Sequence, residues 1–80
     1  MTMIDVQYYA ILREQAGSSR ERVECPAGTA ADLYALLRER HSFTLEQSQL
    51  RVAIDGEFAD WMTPLRDGAE VVFIPPVAGG

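Results

Sequence analysis

The residues with the clearest capacity for chemistry stand at the C-terminal end, in the run Pro75-Pro76-Val77-Ala78-Gly79-Gly80. Two adjacent prolines have a fixed φ and no N–H to donate, so a strand that reaches Pro75 loses its ladder there and continues as an extended arm. Beyond them the side chains shrink from Val77 through Ala78 to Gly79 and Gly80, four residues that reach about 13 Å at about 3.3 Å each. Glycine leaves both flanks of the backbone open, so the tip of such an arm fits a narrow channel in a second protein. The group it presents is the carboxyl of Gly80. A carboxylate acylates poorly until its oxygen becomes a leaving group. Adenylation with ATP supplies one, and attack by a persulfide on the acyl-adenylate leads to a terminal thiocarboxylate, a soft sulfur nucleophile. A side chain at position 79 or 80 would obstruct each step. Two terminal glycines arise by chance in about 0.5% of chains, and the strand and Pro-Pro-Val-Ala before them sharpen the signal. The plain alternative is a frayed terminus.

Other reactive side chains offer little. Cys25 alternates with Val23 on a strand just before Pro26 and is expected to be a small buried hydrophobe. His41, at a helix end, has no second metal ligand or triad partner in the sequence and is expected to be structural. Gly17-Ser18-Ser19 is a turn, too short for a phosphate loop. Arg13 is either a partner contact or a solvated charge, and Trp61 is expected to cover an edge of the core.

The arm needs a strand to deliver it and a body to anchor that strand. Residues 3–9 alternate, with Ile4, Val6 and Tyr8 on one face, and predict a strand. Ala10 to Gly17 predicts a short helix or helical turn closed by glycine. Residues 20–25 form a second strand, antiparallel to the first in the simplest arrangement, with Val23 and Cys25 inward. Thr29 and Asp32 make a Thr-x-x-Asp capping box, and Ala30, Leu33, Tyr34, Leu36 and Leu37 then fill one stripe of a helix. Arg38, Arg40 and His41 suit its C-terminal dipole. Residues 42–50 predict a loop with at most a helical turn. Residues 51–61 read as a hairpin about Asp55-Gly56, the pair a type I′ turn prefers, and Asp67-Gly68 marks another turn. The last strand, Glu70 to Ile74, is apolar on both faces, which makes it central or partnered on its outer side. The expected class is α+β, one main helix across a mixed sheet, in a single domain of residues 1–80 with 75–80 as a functional tail.

Bulk properties narrow the function classes. Eighty residues, 48% of them hydrophobic, suit one folded domain that buries about 60% of its unfolded surface, without room for a deep enclosed pocket as well. One cysteine permits no internal disulfide and fits a reducing compartment. No apolar run long enough for a membrane span is present, so a cytoplasmic location is expected. The net charge of −5 disfavours nucleic acid and suits a basic partner protein. All seven basic residues are arginine, and lysine is absent.

Two segments carry a family likeness: Val6-Gln-Tyr-Tyr-Ala-Ile-Leu-Arg-Glu14, and Pro64-Leu-Arg-Asp-Gly-Ala-Glu-Val-Val-Phe-Ile-Pro-Pro-Val-Ala-Gly-Gly80. On these the chain resembles, end to end, the small sulfur-carrying subunits of molybdopterin synthase (the MoaD/ThiS family) in the ubiquitin-like β-grasp superfamily. The resemblance implies that an adenylating enzyme (MoeB-like) activates Gly80 with ATP and that a persulfide donor supplies sulfur. The tail then enters the large subunit (MoaE-like) and gives sulfur to cyclic pyranopterin monophosphate, in a heterotetramer. The chain would be a non-catalytic, sulfur-donating subunit that binds no cofactor alone and carries covalent sulfur at its terminus. By the same resemblance Tyr9, Phe58 and Ile74 form an exposed apolar patch that docks partners, with Pro75, Pro76, Val77 and Ala78 contacting them along the arm; ordinary surface scatter is the competing explanation. Asp55 stands where many relatives place Asn, a departure expected to alter only turn detail. Two other functions share the tail: a protein modifier conjugated through Gly80 to lysines of targets, and sulfur delivery to thiazole or cysteine synthesis. Without lysine the chain cannot extend itself through its own lysine side chains.

Overall fold

The computed structural model describes residues 2–26 and 28–76. In β1 (Thr2–Tyr8) burial alternates, and Thr2, Ile4, Val6 and Tyr8 point into the core. The strand ends one residue earlier than the alternation implies, and Tyr9 becomes the N-cap of α1 (Ala10–Ala16). The turn at this point is sharp: Ala10 takes a φ of 51°, a left-handed conformation that costs an L-residue about 1–2 kcal/mol. Gly17 closes α1 with a φ of 82°, its N–H donating to the Arg13 carbonyl, the left-handed cap that glycine adopts without a Cβ penalty. The chain then enters β2 (Arg20–Cys25), antiparallel to β1 with Val23 opposite Ile4.

The helix α2 (Ala30–His41) has the complete capping box that its sequence predicts. The Asp32 N–H donates to Thr29 Oγ1, and the Thr29 N–H donates to the Asp32 carboxylate at 3.0 Å. A second cap comes from far along the chain, because the Ala30 and Ala31 N–H groups donate to the carbonyls of Thr63 and Trp61. These four bonds leave the helix start closed to outside ligands. The segment that follows α2 contains one 3-10 turn, Gln47–Gln49, the helical turn allowed for in 42–50.

β3 (Arg51–Ile54) and β4 (Glu57–Ala59) form a hairpin, with Asp55 and Gly56 at φ 52° and 87°, as a type I′ turn requires. The hairpin is shorter than residues 51–61. Beyond Ala59 the chain leaves the ladder, and the Trp61 ring stacks on Phe73, 5.8 Å between centroids and 7° between planes. The Trp61 carbonyl turns to accept the Ala31 N–H and is likewise taken out of the ladder. β5 (Glu70–Ile74) is central, in the order β2-β1-β5-β3-β4, parallel to β1 and antiparallel to β3. Its two-sided apolar character follows from that place.

On the face that α2 covers, Leu33, Tyr34 and Leu37 pack with Ile4, Val52, Val71 and Phe73 into one core, with Leu36 half-buried at its margin. Each fully buried Leu, Val or Phe contributes about 1.5–3 kcal/mol. Tyr34 meets Phe73 edge-on at 5.1 Å. Cys25 is buried among these residues, where loss of water pushes its thiol pKa up, in keeping with a small hydrophobe. No helix among the described residues is long and apolar enough to cross a membrane.

Candidate functional site

Strand alternation decides what the uncovered face of the sheet displays. In β3, β4 and β5, Val52, Ala59, Val71 and Phe73 face inward, which leaves Arg51, Ala53, Phe58, Val72 and Ile74 outward. The register sets them in rows: Phe58 opposite Ala53, Ala53 opposite Val72, and Ile74 opposite Arg51. Phe58 is 69% exposed on the short edge strand. Over its ring lies the Arg51 guanidinium, 5.5 Å from the centroid. Tyr9 keeps an extended backbone (φ −128°, ψ 155°), so the alternation continues one residue past β1 and places it on this same face. Tyr8 pairs with Phe73, and Tyr9 therefore stands at the Ile74 end of β5. The three residues proposed as a patch thus share one face, Tyr9 and Ile74 at its end and Phe58 in the next row inward.

The opposite end of that face is polar. Asp5 pairs with Arg22 at 3.1 Å and lies opposite Glu70. The apolar end is where the chain departs, since β5 keeps ladder partners only as far as Ile74 and then meets Pro75, half-buried, and Pro76, exposed. The expected reacting and contacting residues Val77, Ala78, Gly79 and Gly80 lie outside the described residues.

Asp55 does more than occupy a turn position. Its carboxylate accepts the Glu70 N–H at 3.0 Å and an Arg66 N–H at 2.6 Å, and its own N–H donates to the Glu70 carbonyl at 2.8 Å. The Glu70 N–H and then the Arg66 guanidinium hold this carboxyl below the ordinary aspartate range. The hairpin is thereby tied to the start of the strand that carries the tail.

A polar cluster behind the face has no counterpart among the sequence expectations. The Tyr8 hydroxyl donates to Glu21 Oε1 at 2.7 Å, His41 Nε2 lies 2.8 Å from the same oxygen, and Arg40 is 3.5 Å from Oε2. Burial raises the Tyr8 pKa far above the usual phenol value, and the hydrogen bond to Glu21 adds to it. Burial alone would raise Glu21 as well, but the hydrogen bonds from Tyr8 and His41 and the charges of His41 and Arg40 outweigh it and hold the carboxyl low. The available signal was the phase of Glu21, which falls on the side of β2 that also carries Val23 and Cys25. His41 is structural in this sense. Among the described residues, no three His, Cys, Asp or Glu side chains are grouped to hold a metal ion.

A five-stranded mixed sheet with a helix across one face, whose central strand is the last in sequence, is the ubiquitin-like β-grasp fold. A family model described as the ThiS family matches residues 6–80, and the chain belongs to that family. It is 35% identical over 81 residues to the Escherichia coli protein named molybdopterin synthase sulfur carrier subunit, covering 98% of this chain and 100% of that one. The Mycobacterium tuberculosis protein of the same name is 35% identical over 83 residues, covering all of both chains. Among solved structures, the H. volcanii small archaeal modifier protein 1 superposes with a TM-score of 0.82 at 25% identity, covering 96% of this chain and 100% of that one.

Proposed function

We propose that this protein is the sulfur carrier of molybdopterin synthesis, and that its working group is the carboxyl of Gly80. The observation that carries this is the placement of the departure point. A central strand, held on both sides, releases Pro75 and Pro76 at the edge of an apolar face formed by exposed Tyr9 and Phe58 and half-buried Val72 and Ile74. A partner seated on that face stands where the arm begins, so docking and insertion of the tail are one event. The relatives named as sulfur carrier subunits, matched over their whole length, support the same assignment.

The chemistry then divides between proteins. A carboxylate oxygen of Gly80 attacks the α-phosphorus of ATP on an adenylating enzyme, and pyrophosphate leaves. A persulfide attacks the acyl-adenylate and displaces AMP, and a thiol that cleaves the new S–S bond releases the thiocarboxylate. Inserted into the large subunit, the thiocarboxylate donates its sulfur to cyclic pyranopterin monophosphate. Two rounds are needed for a dithiolene, because each carrier brings one sulfur. This chain contributes a rigid body, a docking face and a slender arm; the acid–base groups belong to its partners. Loaded carrier mixed with the large subunit and cyclic pyranopterin monophosphate is expected to yield the dithiolene product, and a variant lacking Gly80 none. Product from the truncated chain would overturn the assignment.

A second function has a specific observation behind it, the likeness to a small archaeal modifier protein. Conjugation through Gly80 would leave Gly-Gly remnants on lysines of other proteins. Peptide mapping of cellular material distinguishes the two: such remnants favour a modifier, and their absence alongside a sulfur-bearing terminus favours the carrier.

A further inference from the structure

Arg51 lies at the apolar end of the outer face; Arg20, also outward and without an ion pair among the described residues, sits across the sheet on the edge strand β2, opposite Gln7. Arg51 opens β3 directly across from Ile74 and lays its guanidinium over Phe58. Stacking on the ring fixes the orientation of a planar group whose N–H donors point outward along its edge. Arg22, Arg40 and Arg66 spend their donors on Asp5, Glu21 and Asp55. Among the described residues Arg51 makes no ion pair or side-chain hydrogen bond.

A partner that covers Phe58 and Ile74 must also cover this charge. Taking an arginine out of water without an anion opposite it costs several kcal/mol, so an apolar surface alone is a poor match. The rest of the chain has the opposite sign, with a net charge of −5, and Glu57 and Asp60 flank Phe58 and Ala59 in sequence. We propose that Arg51 is the specificity-determining residue of this face, and that it takes a carboxylate on the protein that receives the tail. The fitting partner surface has a basic rim, an apolar centre and one acidic residue opposite Arg51. A purely basic or purely apolar surface is rejected by the stranded guanidinium. Arg51 does not act on the reacting carbonyl. The arm from Pro75 to Gly80 spans up to about 20 Å when extended, about two screening lengths at physiological salt.

The proposal rests on the carrier assignment, and the test separates the two. Titration calorimetry of the whole chain against the large subunit of molybdopterin synthase from the same source, at low and at high salt, is the measurement. The R51Q variant is expected to bind about 10-fold more weakly, with a flatter salt dependence, and R51E about 100-fold more weakly. Both should melt close to the unaltered protein, because the side chain is exposed. Binding by R51Q within twofold of the unaltered chain, with the same salt dependence, overturns the role of Arg51. If F58D loses binding in that case, docking through the face stands and only the charge pairing fails. If F58D and I74D also bind normally, the face is not the interface and both ideas fail. Self-association of the free chain that R51Q abolishes, with large-subunit binding unchanged, identifies a second copy as the occupant and likewise overturns the proposal.

Discussion

Glu21 occupies the inward phase of β2, and its carboxylate is accommodated because Tyr8, His41 and Arg40 converge on it. A carboxylate has no proton to give, so His41 donates from Nε2. Removing the acceptor leaves the Tyr8 hydroxyl, in a residue only 1% exposed, without its partner. Glu21→Ala is therefore expected to destabilise the fold by about 1–3 kcal/mol, with each kcal/mol lowering Tm by about 4–8 °C in a domain of this size. The pH dependence has a definite sign. The folded-state pKa of Glu21 lies below its unfolded value, so its contribution is complete above the unfolded pKa and is lost as pH falls through the folded one. Thermal melts of the unaltered protein and of Glu21→Gln should differ most at neutral pH and converge as the solution is acidified below about pH 4. A gap that widens on acidification would contradict this arrangement. None of the cluster is visible as a motif, because its members come from two strands and a helix end. The one legible sign was a charged residue in the phase of buried ones.

Local elements were the most legible part of the fold because their determinants lie a few residues apart. Thr29 and Asp32 specify the start of α2, and Asp55-Gly56 specifies the hairpin turn, each through hydrogen bonds or dihedrals set within one turn of chain. Thr29→Ala removes the acceptor for the Asp32 N–H and is expected to cost about 1 kcal/mol in chemical denaturation. Gly56 sits at φ 87° with open space where a Cβ would go. Gly56→Ala should therefore cost about 1–2 kcal/mol from backbone strain alone, without disturbing packing; an unchanged denaturation midpoint would mean that the turn relaxes to another type. What sequence periodicity did not show is where elements meet. The carbonyls of Trp61 and Thr63 complete the cap of α2 from about 30 residues away, and the end of β4 at Ala59 is decided by Trp61 turning to stack on Phe73. Both depend on tertiary contacts.

At the scale of the whole molecule, the parallel pairing of β1 with β5 sets the first and last strands side by side and makes the strand that leads to the tail the middle of the sheet. The apolar residues on both faces of Glu70–Ile74 announced a central strand, but not its neighbours. The site was legible in a similar measure. Tyr9, Phe58 and Ile74 were named from alternation and resemblance, whereas the Arg51–Phe58 stack depends on cross-strand register. Phe58→Asp places a charge on an exposed ring position and should leave Tm nearly unchanged while weakening large-subunit binding by at least about 30-fold. Calorimetry alongside thermal melts checks both halves. The central claim is that the last acyl group carries sulfur, and intact-mass analysis tests it most directly. Incubated with ATP, an adenylating enzyme and a persulfide donor, the protein should gain about 16 Da as one oxygen is replaced by sulfur, while a chain without Gly80 gains nothing. An unchanged mass under these conditions, or the same gain without ATP or without Gly80, would contradict it.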